Sequence, residues 1–167
     1  MSATHNYILT KTSADNKLRR MALQVLEQHY NTEELILIGI RENGLVIAHK
    51  IQQYLQQQYK GKIVVVALSI DKKNPVDITL DPPIDCNNKI VILIDDVANS
   101  GRTMLYALKP LLKSFPTKIQ TLALVERTHK SFPIALDYVG ISISTTLNEH
   151  ICVEVHNDVV DGAFIVG

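Results

Sequence analysis

Cysteine is scarce in this chain of 167 residues: there are two, Cys86 and Cys152, far apart and in no C-x-x-C or metal-binding spacing. That argues against a disulfide framework or a cysteine metal site, and reduced, structural thiols fit a cytoplasmic protein. An excess of charge of one sign is missing too, since 17 Lys plus Arg balance 17 Asp plus Glu. This argues against a protein held to nucleic acid by bulk charge and leaves only a local basic patch. No apolar run approaches the roughly 18 residues of a membrane span. The first twenty residues lack an apolar export core, so neither export nor a membrane partner is expected. Repeats are absent, and the only compositional bias is a mildly Gln-rich stretch at 52–58.

What is present is a globule's composition. Hydrophobic residues make up 46% and charged residues 20%, enough to bury an ordinary core in a single domain over 1–167. The spacing of Leu18, Met21, Ala22, Val25, Leu26 and His29 predicts an amphipathic helix over 15–30, capped by Ser13 or Asp15. Apolar runs at 34–40, 62–70, 89–95 and 118–126 read as buried strands, with helices at 44–59 and 103–115, the latter kinked at Pro110. Residues 76–80 alternate like an edge strand, 81–83 form a turn, and the last thirty residues hold short strands and loops. Strands of nearly continuous Val, Ile and Leu that alternate with helices predict an α/β fold, a mostly parallel sheet covered on both faces. Ligands of such sheets sit at the carboxyl ends of the strands.

The loop that follows Ile94 there is the most informative. Asp95 and Asp96 close an apolar strand, and Asn99, Ser100, Gly101, Arg102 and Thr103 lead into the next helix. Free N–H groups at a helix start suit a phosphate, Gly101 lets the backbone come close, and Ser100 and Thr103 add hydroxyls. Adjacent carboxylates can accept from a pair of vicinal hydroxyls or partner a magnesium ion. Together these describe a sugar-phosphate site, without the Walker spacing. A second strand-to-helix loop, Arg41, Glu42, Asn43 and Gly44, offers a guanidinium for phosphate oxygens and a glycine that lets N–H groups turn inward. By itself it also fits a solvated connection.

The stretch "VILIDDVANSGRTM" resembles the PRPP (phosphoribosyl pyrophosphate) motif of type I phosphoribosyltransferases. "LIGIRENGLVIAHKI", "IQTLALVERTHKSFPIALDYVGISI" and "ICVEV" are similar to successive blocks of the pyrimidine operon regulator family, from about residue 17 onward. The resemblance implies the type I fold, a central sheet flanked by helices with a small hood from the chain ends. It implies transfer of ribose 5-phosphate from PRPP to a nucleobase, uracil foremost, with Mg2+ as cofactor and a homo-oligomeric state. By position, Asp95 and Asp96 hold the ribose hydroxyls and meet the metal through water or those hydroxyls. Residues 99–103 bind the 5′-phosphate, and Arg41, Glu42, Asn43 and Gly44 the pyrophosphate. Arg127, Val139 and Ile141 form the base-side wall, where backbone groups read the base edge, and His129 and Lys130 fall near the nucleotide site. Arg41 is grouped with the two acids as catalytic. Purine-using relatives carry an acid at the position of Asn99; an amide cannot take the base's proton, which favours a pyrimidine.

The chain also departs from the family. Its flexible arm, within 70–88, is short, with Lys72 and Lys73 as the available cations, although both equally fit a solvated turn. Thr-Arg-Gly of the pyrophosphate loop is here Glu-Asn-Gly. An RNA partner, also implied by the family, has Lys17, Arg19, Arg20, His129 and Lys130 as candidate contacts; the first three fit the solvated face of a helix as well. Two alternatives therefore stay open: a nucleotide-sensing, RNA-binding regulator with little or no turnover, and a phosphoribosyltransferase for another base.

Overall fold

The computed structural model describes residues 6–71 and 73–167. Strands β1 (Asn6–Thr10), β2 (Glu34–Ile40), β3 (Lys62–Ile70), β4 (Ile78–Asp81), β5 (Ile90–Ala98), β6 (Lys118–Arg127), β7 (Tyr138–Ile143), β8 (His150–His156) and β9 (Val159–Val166) form two sheets. Helices α1 (Lys11–His29), α2 (Asn43–Leu55) and α3 (Arg102–Ala107) are followed, after α3, by a 3-10 turn at Leu111–Lys113. The main sheet has six strands in the order β4-β3-β2-β5-β6-β7, parallel except for β4 at one edge. The chain ends supply the other sheet, antiparallel in the order β1-β9-β8: the expected hood. Among the described residues, no helix is long and apolar enough to cross a membrane.

Side chains alternate across a strand, so one run of sequence feeds two cores. Leu35, Leu37, Ile92, Ile94, Leu122 and Leu124 face α1, α2 and the hood. Ile36, Ile38, Val91, Leu93 and Ala123 face the other way, onto Met104, Ala107 and Leu111. These aliphatic side chains are almost fully buried, each large one stabilising the fold by roughly 1.5–3 kcal/mol. The central strands are thus nearly continuously apolar because both faces are covered, with Gln120 and Thr121 of β6 as polar side chains buried among them. β3 is the exception to the expected two-sided burial, since only Val66, Ala67 and Leu68 are buried and the rest lies under thinner cover.

Several boundaries differ from expectation. α1 starts at Lys11 and is capped by Thr10, not by Ser13 or Asp15. The Thr10 side chain accepts from the Ser13 N–H at 3.2 Å and the Thr10 N–H donates to Ser13 Oγ at 2.8 Å, so Ser13 is the far half of a capping box. α2 ends at Leu55 instead of running to 59, because Tyr59 folds back to bury its ring and donates to Thr32 O at 2.6 Å. α3 stops at Ala107, and Pro110, which has no N–H to continue the ladder, opens the 3-10 turn instead of kinking a helix. Asp81, read as part of a turn, is the last residue of β4 and pairs with Ala67. β5 runs three residues past Asp95, so the acids sit inside the last turn-ward part of a strand.

Candidate active site

Loops after β2 and β5 meet at the carboxyl edge of the main sheet. Gly44 makes their approach close: a Cβ there would lie 2.7 Å from Ile94 O and 3.1 Å from the Asp95 Cα. The glycine is required for α2 to press onto β5 just before the acids. The Arg41–Glu42 peptide is cis. The Arg41 guanidinium reaches Asp81 on β4 at 3.1 Å, with both side chains largely exposed, and Glu42 is exposed. Asn43 instead turns into the site, its amide donating to Asp96 Oδ2 at 2.9 Å and to Val153 O on β8 at 3.1 Å.

Asp95 is 2% exposed and Asp96 partly buried. Adjacent carboxylates repel, and backbone donors offset this: the Asp96 N–H donates to Asp95 Oδ1 at 2.9 Å and the Val97 N–H to Asp96 Oδ1 at 2.8 Å. The chain then turns through Gly101, whose φ is +83°. Ser100 O accepts from the N–H groups of Ser131 and Phe132, both at 3.0 Å. Because the C=O and N–H of a trans peptide point opposite ways, this clamp turns the Gly101 N–H away from the 131–132 segment. Ser100 Oγ accepts from the Arg102 N–H at 3.3 Å. Asp95, Val97 and residues 98–104 line one small cavity of about 70 Å³. With only six residues, α3 brings a short dipole, so loop N–H groups rather than a long helix make this cradle. A larger cavity of about 570 Å³ lies between α1, α2 and the β8–β9 turn, without such a loop or acid pair.

The clamp has its own anchor. Lys130 Nζ donates to Glu126 Oε1 at 3.0 Å and to Arg127 O at 2.6 Å, and Ser142 Oγ donates to Glu126 Oε2 at 2.8 Å. Burial pushes the Glu126 carboxyl up, but the Ser142 hydroxyl and the Lys130 ammonium outweigh it and hold it below its ordinary range. Ile134 Cβ, Phe132 O and Lys130 Cδ lie 3.3–3.6 Å from where a Gly101 Cβ would be. Nothing local in the sequence marks Glu126 or Ser142, since Glu126 lies near the end of a strand and its partners come from the following loop and from β7.

The base-side candidates are spread out. Arg127 donates to Thr146 O while its Nε is buried without a partner. Val139 stands across β6 from Asp95, through Ala123, and Ile141 across β6 from Val97, through Val125. The Val139 and Gly140 carbonyls accept from Arg20 at 3.0 and 2.9 Å. Both carbonyls are thus engaged by α1. Lys72 lies outside the described residues, and Lys73 is exposed in a turn closed by its N–H to Asp71 Oδ1 at 2.8 Å. Among the described residues, no group of three or more His, Cys, Asp or Glu side chains could hold a metal by itself.

The model of the phosphoribosyl transferase domain family matches residues 8–159. The chain is 35% identical over 161 residues to the bifunctional protein PyrR of Limosilactobacillus reuteri, covering 88% of this chain and 90% of that one. It is 34% identical over 152 residues to the pyrimidine operon regulatory protein of Lactococcus lactis, covering 88% of each. Its fold is similar to that of the hypoxanthine phosphoribosyltransferase of Trypanosoma cruzi, with a TM-score of 0.79 at 13% identity over 96% of this chain and 95% of that one. A hypoxanthine-guanine phosphoribosyltransferase of Bacillus anthracis gives a TM-score of 0.75 at 19% identity, covering 96% and 98%.

Proposed function

We propose that this chain, which belongs to the phosphoribosyl transferase domain family, moves the ribose 5-phosphate of PRPP onto uracil, releasing pyrophosphate and forming UMP, within pyrimidine regulation. The observation that carries the reading is the acid pair on β5 running into a loop whose Ser100 carbonyl is pinned and whose Gly101 is left-handed. In this reading residues 99–103 receive the 5′-phosphate, and Asp95 and Asp96 accept from the ribose hydroxyls. Displacing pyrophosphate from C1 builds positive charge on the sugar and negative charge on the leaving group. The acids lie on the sugar side of that separation and Arg41 on the other, so rate enhancement is positioning and electrostatics. Two carboxylates beside substrate oxygens suit Mg2+, which takes one or two carboxylates plus phosphates and, when bound, neutralises leaving-group charge. Asn99 supplies no base, in keeping with a pyrimidine. Arg127, Val139 and Ile141 flank the base.

A second reading is favoured by the leaving-group side. Arg41 is engaged by Asp81, Asn43 by Asp96, and Lys73 lies in a turn. A nucleotide-sensing regulator of low turnover needs the 5′-phosphate cradle and not these leaving-group contacts. RNA belongs to this reading; Arg20 and Lys130 are already engaged within the chain, which leaves Lys17, Arg19 and His129. We also propose a cytoplasmic homo-oligomer.

Pyrophosphate release from PRPP and Mg2+ with a panel of free bases separates the readings. Turnover with uracil is expected. UMP binding without turnover on any base overturns the enzymatic reading in favour of the sensor, and turnover confined to another base overturns the choice of uracil.

A further inference from the structure

Asn43 is the first residue of α2, behind an N-cap residue, Glu42, whose side chain makes no capping bond. Its side chain does something else. One amide group has two N–H donors, and both are used, on Asp96 Oδ2 at 2.9 Å and on Val153 O at 3.1 Å. Asp96 Oδ1 accepts from the Val97 N–H at 2.8 Å. Each carboxylate oxygen therefore has one fixed donor, which sets the plane of the group and leaves further lone pairs for a ligand's hydroxyls.

Val153 lies on β8, the edge strand of the hood, paired on one side only, with Ala163 of β9. Its carbonyl turns outward from that edge onto Asn43. The amide is thus a single joint between the start of α2, an acid of β5 and the free edge of the hood. If the hood edge moves away, the amide loses one acceptor and its torsion is no longer determined. The orientation of Asp96 then relaxes with it.

We infer that Asn43 is a positioning residue that couples the seat of the hood to the readiness of Asp96 to hold ribose hydroxyls. The inference rests on the proposed role of Asp96. Such coupling is reciprocal: a sugar phosphate bound to a correctly held Asp96 also holds β8 in place.

The test uses the full chain and Asn43→Ala, Asn43→Asp and Asp96→Asn. PRPP and UMP affinities are measured by calorimetry, and amide hydrogen exchange is followed along β8. Asn43→Ala is expected to weaken both ligands about tenfold, the scale of one hydrogen bond to a charged group, and to speed exchange at 151–155. Asn43→Asp keeps the shape but trades both amide donors for a carboxylate facing Asp96, so it is expected to weaken both ligands at least as much as Asn43→Ala. UMP is expected to slow exchange at 151–155 in the wild type and not in Asn43→Ala, a loss of coupling that a purely structural role at position 43 would not produce. Unchanged affinity in Asn43→Ala, with Asp96→Asn weakened, overturns the coupling and spares the acid-pair reading. Unchanged affinity in Asp96→Asn overturns the acid-pair reading itself. Weakened affinity with unchanged exchange along β8 overturns the hood's part.

Discussion

Gly101 has φ +83°, and a Cβ there would stand 3.3 Å from Ile134 Cβ. A left-handed backbone costs a non-glycine residue roughly 1–2 kcal/mol before any contact is counted, and a β-branched residue resists it most. Gly101→Val therefore has two escapes, to push the 130–134 segment back or to flip the loop. Either one moves the N–H groups that the Ser100 clamp orients. The variant is expected to lose at least about tenfold in UMP affinity, with a drop of about 1–3 kcal/mol in stability. Wild-type UMP affinity in a folded Gly101→Val protein would show that the loop does not receive the phosphate.

Between elements, the segment after β6 acts on the loop after β5. Ser131 and Phe132 hold Ser100 through their backbone, and Lys130 holds that segment to Glu126 and to Arg127 O. The Lys130 and Glu126 side chains are 17% and 21% exposed, so solvent screens the pair only partly. Lys130→Met keeps the stem and removes the donors. It is expected to cost about 1–2 kcal/mol of stability and to weaken UMP several-fold more than uridine, since only the nucleotide carries the phosphate that the loop is proposed to receive. Equal loss for UMP and uridine would reduce the lysine to a fold anchor. The same logic explains why α3 can be so short: its start is shaped from outside, by a neighbouring loop.

For the molecule as a whole, the titrating groups set a window of stability. Hydrogen bonds from Lys89 to Glu34, from Lys11 to Asp161 and from the Thr146 N–H to Glu149 hold these carboxyls below their ordinary values, as Ser142 and Lys130 do for Glu126 against burial. A carboxyl with a depressed folded pKa stabilises above its unfolded value, and that contribution is lost as pH falls through the folded one. Burial, with Asp15 added at Tyr54, pushes the phenols of Tyr54 and Tyr138 up to about 12 from 10.0. A raised pKa stabilises below the unfolded value and is lost as pH climbs from there to the folded one. Thermal melts should therefore show a plateau from about pH 5 to about pH 9, a fall below about pH 4.5 and another above about pH 10. A Tm that holds or rises between about pH 5 and about pH 3.5 would contradict the acid limb. Most of these carboxyls are partly exposed, so that limb should flatten in high salt.

Much of the main sheet could be read from the chain directly. β2 falls at the expected 34–40 and β6 differs from 118–126 by one residue, because a strand covered on two faces is mostly apolar along its length; β3 falls at 62–70 through its aliphatic run although its cover is thinner. The acid pair and the glycine loop after it were legible for the same reason: polar residues at the end of such a run stand out locally. β1 was not, since Asn6–Thr10 becomes a strand only by pairing with β9 from the far end of the chain. The cap of α1 was misplaced by three residues or more, because Thr10 and Ser13 are both capping types and only their reciprocal bonds tell which is the cap. The Asn43–Asp96–Val153 joint and the Lys130–Glu126–Ser142 anchor were equally out of reach. Periodicity and loop chemistry are properties of neighbouring residues, so the sequence alone determined most strands of the main sheet, the first two helices and the loop here proposed to receive a sugar phosphate. Which side chains aim that cradle depends on strand order and on the seat of the hood, and these are decided by the packing of two cores whose members are scattered along the whole chain.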